Sequence, residues 1–142
     1  MEKSLVLIKP DAVEKNLIGK IISKYEDDGL KVIALRMEKI SEEFASKHYF
    51  EHKGKFFYEK LIRFITRNPL CALVIEGEMA IKRVRKINGS TDPDKAEIGT
   101  IRNLYALNNN ENCVHASDSD ESATREIELW FPELDLSKGY NW

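Results

Sequence analysis

Short apolar runs alternate with helical patterns along this chain, and this alternation constrains its fold more than any other feature. The runs at residues 4–8, 30–37 and 70–75 are typical of strands. Between them, apolar residues recur at i, i+3, i+4 and i+7 over residues 18–25, as on one face of a helix. We therefore predict a sandwich of sheet and helices, either α/β or α+β. Because not every strand is followed by a regular helix crossover, an antiparallel sheet with helices on one face is favoured.

The remaining elements are expected from local signals. Ser41 can cap a helix that carries Phe44, His48 and His52 along one side, and Gly54 ends it. Further helices are predicted at residues 57–66, 80–87 and 123–131, a short last strand at 114–115 and a loop at 90–100, whereas residues 101–107 have no clear pattern. A loop of this length inside a compact domain is often functional.

Size and charge limit the possible functions. The 142 residues are predicted to form one domain, residues 1–142, with its own core. The formal net charge of −2 gives no support for general binding to nucleic acid or membranes, so any anion site must be a local cluster of cations. Cys71 and Cys113 lie in apolar surroundings and are expected as reduced thiols. The sequence contains no recognisable targeting or membrane-spanning segment, and a cytoplasmic location is expected.

Two local patterns suggest chemistry that we consider less favourable. Residues 48–52 match H-x-x-E-H, in which His48 and His52 could hold zinc as in a zinc hydrolase. Such a short match arises easily by chance, and no third ligand stands out. Cys113 and His115 would point to the same face of a strand and could form a thiolate–imidazole pair. A small buried cysteine beside the site is the simpler interpretation.

His115 is the stronger candidate for catalysis. It follows an apolar pair at a strand end, and the small and acidic residues 116–120 can open the next helix. Unpaired backbone N–H groups and the helix dipole attract anions at such a place, and a neutral imidazole is a good nucleophile near neutral pH. A satisfied core histidine followed by a capped helix explains the same residues about as well. Local sequence leaves both interpretations open.

Three cations are placed where they could serve a phosphate. Lys9 directly follows the first strand and precedes a proline turn, and Arg85 and Arg102 flank the long loop. Phosphoryl transfer needs cations because charge spreads over the phosphate oxygens in the transition state. Spacing does not reveal which of the 22 Lys and Arg residues converge. The sequence has no P-loop and no G-x-G-x-x-G motif, so it does not support a Walker-type or Rossmann nucleotide site.

Taken together, these residues resemble the nucleoside diphosphate kinase family over nearly the whole chain, from about residue 3 to residue 131. The most specific match is Asn112-x-x-His115-x-Ser117-Asp118-Ser119, where the family carries its phosphohistidine. The other matches, in order, are Ile8-Lys9-Pro10-Asp11, His48-Tyr49 with Glu51-His52-Lys53, Phe56-Phe57, Gly89-x-Thr91-x-Pro93 and Gly99-Thr100-Ile101-Arg102. So many matches in the same order are not expected by chance.

The resemblance implies a ferredoxin-like α+β fold, in which helices cover a four-stranded antiparallel sheet. It also implies ping-pong transfer of the γ-phosphate of ATP or another nucleoside triphosphate to a nucleoside diphosphate, with a pros-phosphohistidine on His115 as the intermediate. Ser117 and Glu126 match residues that orient the histidine, and Lys9 matches a catalytic cation. The nucleotide-contacting positions are Lys9, Arg85, Arg102 and Thr91 for the phosphates, Tyr49 beside them, Asn112 for the ribose and Phe57 for the base. Mg²⁺ would be carried by the nucleotide phosphates rather than by protein ligands.

Family members are hexamers or tetramers built from dimers, so a homo-oligomer is expected. The chain departs from the family pattern at Ile98, at Asn103-Leu104-Tyr105 and at Asn108-Asn109-Asn110. These departures leave the choice between tetramer and hexamer open, but they remove no catalytic position. Two alternatives remain beside the kinase: a catalytically silent nucleotide-binding or regulatory module of the same fold, and the zinc hydrolase using His48 and His52.

Overall fold

Strands β1 (Glu2–Ile8) and β3 (Leu70–Gly77) form the centre of a four-stranded antiparallel sheet in the structure, a computed structural model that describes residues 1–137. The edge strands are β2 (Lys31–Glu38) and β4 (Val114–Ala116), and the order across the sheet is β2-β3-β1-β4. Every residue of β3 is buried, which explains why its first six residues, 70–75, form a continuous apolar run. Residues 138–142, the end of the predicted domain, lie outside the described residues.

Seven α-helices lie within residues 1–137. They are α1 (Pro10–Glu14), α2 (Ile18–Asp27), α3 (Glu42–His48), α4 (Tyr58–Thr66), α5 (Ala80–Asn88), α6 (Ile101–Tyr105) and α7 (Asp120–Trp130). The proline that ends β1 also begins α1, because proline at the first helical position has no N–H to leave unpaired. The patternless stretch 101–107 contains α6, whose first turn is capped by the Thr100 hydroxyl.

Both faces of the sheet are covered by helices. Val6 and Ile8 pack with buried residues of α2, α5 and α6, whereas Leu5 and Leu7 point to the opposite face and pack with α3, α4 and α7. The prediction of helices on one face only was therefore wrong, because the central strands bury both sets of alternating side chains. The four-stranded antiparallel sheet covered by helices, which is the ferredoxin-like α+β arrangement, is confirmed.

The helix predicted to carry both His48 and His52 is shorter than expected. Its cap is confirmed, since Ser41 Oγ accepts the Phe44 N–H at 3.0 Å. However, α3 ends at His48, and residues Phe50–His52 form a separate 3-10 turn in which the His52 N–H bonds to the Tyr49 carbonyl at 2.8 Å. Because the hydrogen bonding tightens by one residue here, His52 does not continue the face that carries His48.

None of the helices found in residues 1–137 combines the length and the apolar character that crossing a membrane would require.

Candidate active site

His115 occupies the middle of the edge strand β4, directly opposite Leu7 of β1. Its imidazole is 23% exposed, and Nε2 lies 3.1 Å from Oε1 of Glu126 on α7. A carboxylate can only accept at this contact, so Nε2 carries the proton and Nδ1 keeps its lone pair. The position of α7 thus fixes the tautomer of the histidine that precedes it in the chain.

Ser117 stabilises this contact by binding the Glu126 carboxylate. Its hydroxyl donates to the same Oε1 of Glu126 at 2.8 Å and accepts the backbone N–H of Leu5 at 3.0 Å. Ser117 is fully buried, and Glu126 is 5% exposed. The result is a continuous hydrogen-bonded path from β1 through Ser117 and Glu126 to the His115 ring, which restricts the ring orientation.

The open side of His115 faces a cleft with a volume of ≈ 910 Å³. Among the residues predicted for the site, the cleft is lined by Lys9, Tyr49, Arg85, Thr91, Arg102, Asn112, His115 and Glu126. It also collects three cations that sequence reasoning did not name: Lys86, Lys95 and Arg125. Basic residues usually face solvent, and the spacing of Lys86, Lys95 and Arg125 alone gave no sign that they share a cleft with His115.

Lys9 is the most buried cation of the cleft. It directly follows β1, is 8% exposed, and its Nζ donates to Oδ1 of Asn112 at 2.9 Å. Burial, reinforced by the nearby Arg102 charge, lowers the pKa of Lys9 to about 8, although the Asp11 carboxylate opposes this change. Lys9 is therefore mostly charged at neutral pH, although its pKa lies only slightly above that pH.

Arg102 holds together the backbone around the site. Its guanidinium donates to the carbonyls of Gly89 at 2.8 Å, Val114 at 2.7 Å and Asn112 at 3.3 Å. Gly89 has a φ of +86°, and a Cβ at this position would lie 2.4 Å from the Thr100 hydroxyl oxygen. The long loop can therefore approach Arg102 only because residue 89 is glycine.

His48 lies behind the His115 ring and was not predicted as a neighbour of it. The two imidazoles meet edge to face with 4.7 Å between centroids, and the Trp130 indole donates to Nδ1 of His48 at 3.1 Å. Burial, together with the His115 and Arg125 charges, lowers the pKa of His48 well below its usual value. His48 is therefore a neutral packing partner, and no local signal could reveal its contact with Trp130, which lies 82 residues away.

The zinc pair of the alternative interpretation, His48 with His52, does not form among the described residues. Among the described residues, the metal-type donors that come within 4.8 Å of one another belong to His48, His115 and Glu126, and His52 is not one of them. In this group the Trp130 indole already uses one nitrogen of His48. The H-x-x-E-H interpretation fails because the helix ends between its two histidines.

Phe57, the predicted base contact, lies outside the His115 cleft. It lines a neighbouring cavity of ≈ 370 Å³ together with Arg67, Asn110 and other residues that follow α6 or belong to α4. Its ring is 5.5 Å from the His52 ring, and His52 does line the cleft. Phe57 therefore belongs to a row of ring contacts that leads from His48 through Tyr49 and His52 to Phe57.

Comparisons with known proteins agree on one family. A family model described as nucleoside diphosphate kinase matches residues 2–136. The chain is 61% identical to a nucleoside diphosphate kinase of Clostridium perfringens over 134 residues, 94% of each protein, and 52% identical to one of Staphylococcus epidermidis over 137 residues, 96% of this chain and 92% of the relative.

Solved structures give the same result. The crystal structure of the Aquifex aeolicus nucleoside diphosphate kinase superposes with a TM-score of 0.89 at 40% identity, covering 92% of this chain and 94% of that one. A nucleoside diphosphate kinase family protein from Babesia bovis superposes with a TM-score of 0.90 at 42% identity, covering 94% of this chain and 90% of that one.

Proposed function

Because this chain belongs to the nucleoside diphosphate kinase family, we propose that it transfers phosphate between nucleotides through a covalent intermediate on His115. The enzyme is a nucleoside diphosphate kinase, a phosphotransferase that binds nucleoside tri- and diphosphates. The observation that carries the proposal is the 3.1 Å contact between Nε2 of His115 and Glu126, which leaves Nδ1, the pros nitrogen, with a free lone pair beside a basic cleft.

The reaction follows from this arrangement in two steps. In the first, the Nδ1 lone pair attacks the γ-phosphorus, a P–N bond forms, and the bond to the bridging oxygen breaks with its electron pair leaving on the nucleoside diphosphate. As the ring becomes positive, the Glu126 carboxylate stabilises it through Nε2–H. In the second, a terminal oxygen of another nucleoside diphosphate attacks the phosphorus, and His115 regains its lone pair. Splitting the transfer lets one site serve both nucleotides in turn.

The cleft cations would bind the phosphates. We propose that Lys9, Arg85 and Arg102 balance the charge that spreads over the transferred group, with the Thr91 hydroxyl and the Tyr49 phenol beside them. Tyr49 suits this role as a neutral donor because burial raises its pKa above the ordinary value.

The nucleoside would extend away from His115. Asn112 would contact the ribose, and Phe57 would stack on the base, which suits a promiscuous enzyme because every base has a π-face. Since Phe57 lies on the neighbouring cavity, this proposal requires the nucleoside to run past His52 toward the ring.

Magnesium is proposed to enter with the nucleotide. A protein-held Mg²⁺ site needs several converging oxygen ligands, whereas the metal-type group found among residues 1–137 contains two histidines and one carboxylate. This donor set supports an ion held mainly by phosphate oxygens. When bound, such an ion neutralises charge on the phosphates.

Assembly and location complete the proposal. We propose a homo-oligomer, either a hexamer or a tetramer, built from dimers; the edge strand β2 supports this, since it leaves Leu35 and Met37 more than half exposed. We propose a cytoplasmic location, which the two unpaired, buried cysteines Cys71 and Cys113 support.

Family membership overturns the zinc hydrolase and gives no support to a silent module.

Incubation with γ-labelled ATP and Mg²⁺ tests the proposed intermediate. We expect an acid-labile, base-stable phosphoprotein that a nucleoside diphosphate discharges as labelled triphosphate. His115→Ala should lose the label, whereas His52→Ala, which changes another cleft histidine, should keep it. An unlabelled wild type would overturn the covalent mechanism, and label that survives in His115→Ala would place the nucleophile elsewhere.

A further inference from the structure

The backbone turn that leads into the His115 strand has an uncommon conformation. The Val114 N–H bonds to the Asn112 carbonyl at 2.9 Å, which closes a three-residue turn with Cys113 at its centre. Cys113 has a φ of +73°, and a turn with this hydrogen bond and a central φ of about +75° is the rare, strained form of the γ-turn. A residue other than glycine is unfavourable at such a φ, so the surrounding structure has to hold Cys113 in place.

Cys113 is held at both of its backbone polar groups by the segment that follows β1. Its N–H donates to Oδ2 of Asp11 at 3.0 Å, and its carbonyl accepts the backbone N–H of Lys9 at 2.8 Å. Asp11 is 1% exposed and Cys113 is fully buried, so these bonds do not compete with solvent. The Asp11 carboxylate is therefore in direct contact with the strained residue.

The burial of Asp11 is not explained by its place in α1. An acidic side chain in the first turn of a helix stabilises the helix dipole, but a solvent-exposed carboxylate does the same. Asp11 is instead buried, and its Oδ1 has no hydrogen-bond partner among the described residues, which is unfavourable for stability. Glu14, the other carboxylate of this helix, binds Arg67 at the surface at 2.7 Å. The contact with the γ-turn thus distinguishes Asp11 from Glu14.

The γ-turn lies between two residues proposed for the site. Asn112, its first residue, is proposed for the ribose, and its side-chain oxygen accepts a hydrogen bond from Nζ of Lys9 at 2.9 Å. Val114, its third residue, begins β4, and the proposed nucleophile His115 follows directly. The dihedral angles of Cys113 therefore set the direction in which β4 leaves Asn112. Relaxation of Cys113 to a negative φ would change the position of His115 relative to Asn112.

We propose that Asp11 is a positioning residue for phosphate transfer: its carboxylate oxygen holds Cys113 in the γ-turn, and the turn sets the position of His115 relative to Asn112. The inference rests on the proposed function, in which His115 takes the phosphate and Asn112 contacts the ribose. Asp11 touches neither the proposed substrate nor the reacting atoms. Its action requires an acceptor oxygen at the Cys113 N–H and does not require a negative charge.

Hydrogen exchange at the cysteine amides tests the contact without any nucleotide. The chain has two cysteines, so ¹⁵N-cysteine enzyme gives one amide signal for Cys113 and one for Cys71, which Cys71→Ala assigns. In Asp11→Ala the Cys113 amide should exchange about tenfold faster or more, because its acceptor is gone, whereas Cys71 should be unchanged. Asp11→Asn should keep exchange slow, because its amide oxygen can still accept. Equal acceleration at both cysteines, or none at Cys113, would overturn the inference.

A double-mutant cycle with Cys113→Gly tests whether Asp11 acts through the conformation of Cys113. Glycine adopts a positive φ without strain, so it needs no carboxylate to hold it. In the wild-type background, Asp11→Ala should lower kcat by about tenfold or more through misplacement of His115, whereas Asp11→Asn should stay within about threefold of the wild type. In the Cys113→Gly background, Asp11→Ala should lower kcat by less than about threefold. Equal losses in the two backgrounds would contradict the inference.

Cys71→Ala is the control for a loss of stability alone. Cys71 is 2% exposed in the core, so the substitution should lower the urea midpoint of unfolding while kcat stays unchanged. If Asp11→Ala also lowered the midpoint at an unchanged kcat, Asp11 would be a structural residue and the inference would fail. If the wild type formed no phosphohistidine, the proposed function would fail, while the exchange of the Cys113 amide would still decide whether Asp11 holds the turn.

Solid-state NMR on the wild type covers the case in which Asp11→Ala does not fold. The enzyme is labelled with ¹⁵N-cysteine and with ¹³C at the aspartate carboxyl carbon. The Cys113 nitrogen should then show a dipolar coupling to the Asp11 carboxyl, because Oδ2 lies 3.0 Å from that nitrogen. A Cys113 signal without this coupling would contradict the inference.

Discussion

Ser117→Ala removes the hydroxyl that joins β1 to the Glu126–His115 pair. Two hydrogen bonds disappear, one donated to the Glu126 carboxylate and one accepted from the Leu5 N–H. A bond to a charged group contributes about 1.5–3 kcal/mol, and a buried donor left without a partner costs about 1–3 kcal/mol. Since Ser117 is fully buried and water cannot replace it, we expect the free energy of unfolding to fall by about 3 kcal/mol.

Ser119→Ala is the matched comparison. Ser119 stands two residues further along, and its hydroxyl accepts the Ser122 N–H at 3.1 Å at the exposed start of α7. Loss of such a helix cap costs about 1 kcal/mol. Urea unfolding of both variants and the wild type, at one protein concentration, gives the two differences. In steady-state assays, Ser117→Ala should also lower kcat by about tenfold, or about 1.4 kcal/mol, because the Glu126 carboxylate that orients the ring loses the hydrogen bond that holds it in place.

Equal destabilisation by the two substitutions would refute this reasoning, since it would mean that the buried hydrogen bonds stabilise the fold no more than an ordinary cap. A fall in stability with an unchanged kcat would separate the two claims and leave Ser117 as a structural residue alone.

Three further predictions concern the loop, the base and the core histidine. Gly89→Ala should lower the free energy of unfolding by about 3 kcal/mol, because its Cβ would collide with Thr100, whereas Gly54→Ala at a similar φ but in open space should cost about 1 kcal/mol. Phe57→Ala should weaken nucleotide binding by roughly 1–3 kcal/mol in calorimetry, and unchanged binding would show that the ring does not hold the base. His48 stays neutral when folded but can be protonated when unfolded, so stability should fall below about pH 6.5 by up to about 1.4 kcal/mol per unit.

The controls for two of these predictions are simple. Equal losses in Gly89→Ala and Gly54→Ala would show that the close approach to Thr100 is not needed. In His48→Gln, whose amide oxygen can still accept from the Trp130 indole, the acid-dependent part of the unfolding free energy should largely disappear. If the variant kept the wild-type slope between pH 5 and about 6.5, another group would be responsible.

Much of the fold could be predicted because its signals are local. The apolar run of β3 predicts a strand, and Ser41, whose side chain accepts the Phe44 N–H, marks the residue before the first residue of α3. The end of α3 could not be predicted, because the apolar and histidine spacing continues to His52 after the hydrogen bonding has tightened at residue 50. The coverage of both sheet faces was also missed, although the fully apolar strands contained that information.

The residues proposed for the site were found mainly by resemblance, since their convergence depends on contacts distant in sequence. Lys9 and Asn112 are 103 residues apart and meet within one hydrogen bond. Other structural contacts also join residues that are far apart in the sequence, and no motif reveals them. Examples are the contacts of His48 with Trp130 and of Asp11 with Cys113. Phe57 shows a different limit of sequence analysis. The motif match identified the residue, but it did not indicate that its ring lines a neighbouring cavity instead of the His115 cleft.

The position of the phosphate on the enzyme tests the central proposal most directly. Wild-type enzyme labelled by ATP and Mg²⁺ can be hydrolysed in alkali, and the two phosphohistidine isomers can then be separated by chromatography. Because Nε2 of His115 is bound to Glu126, the proposal predicts only the Nδ1-linked isomer in the hydrolysate, and proteolysis of a second labelled sample should place the label on a peptide containing residue 115. Label on Nε2, or on another residue, would contradict the arrangement from which the mechanism was derived.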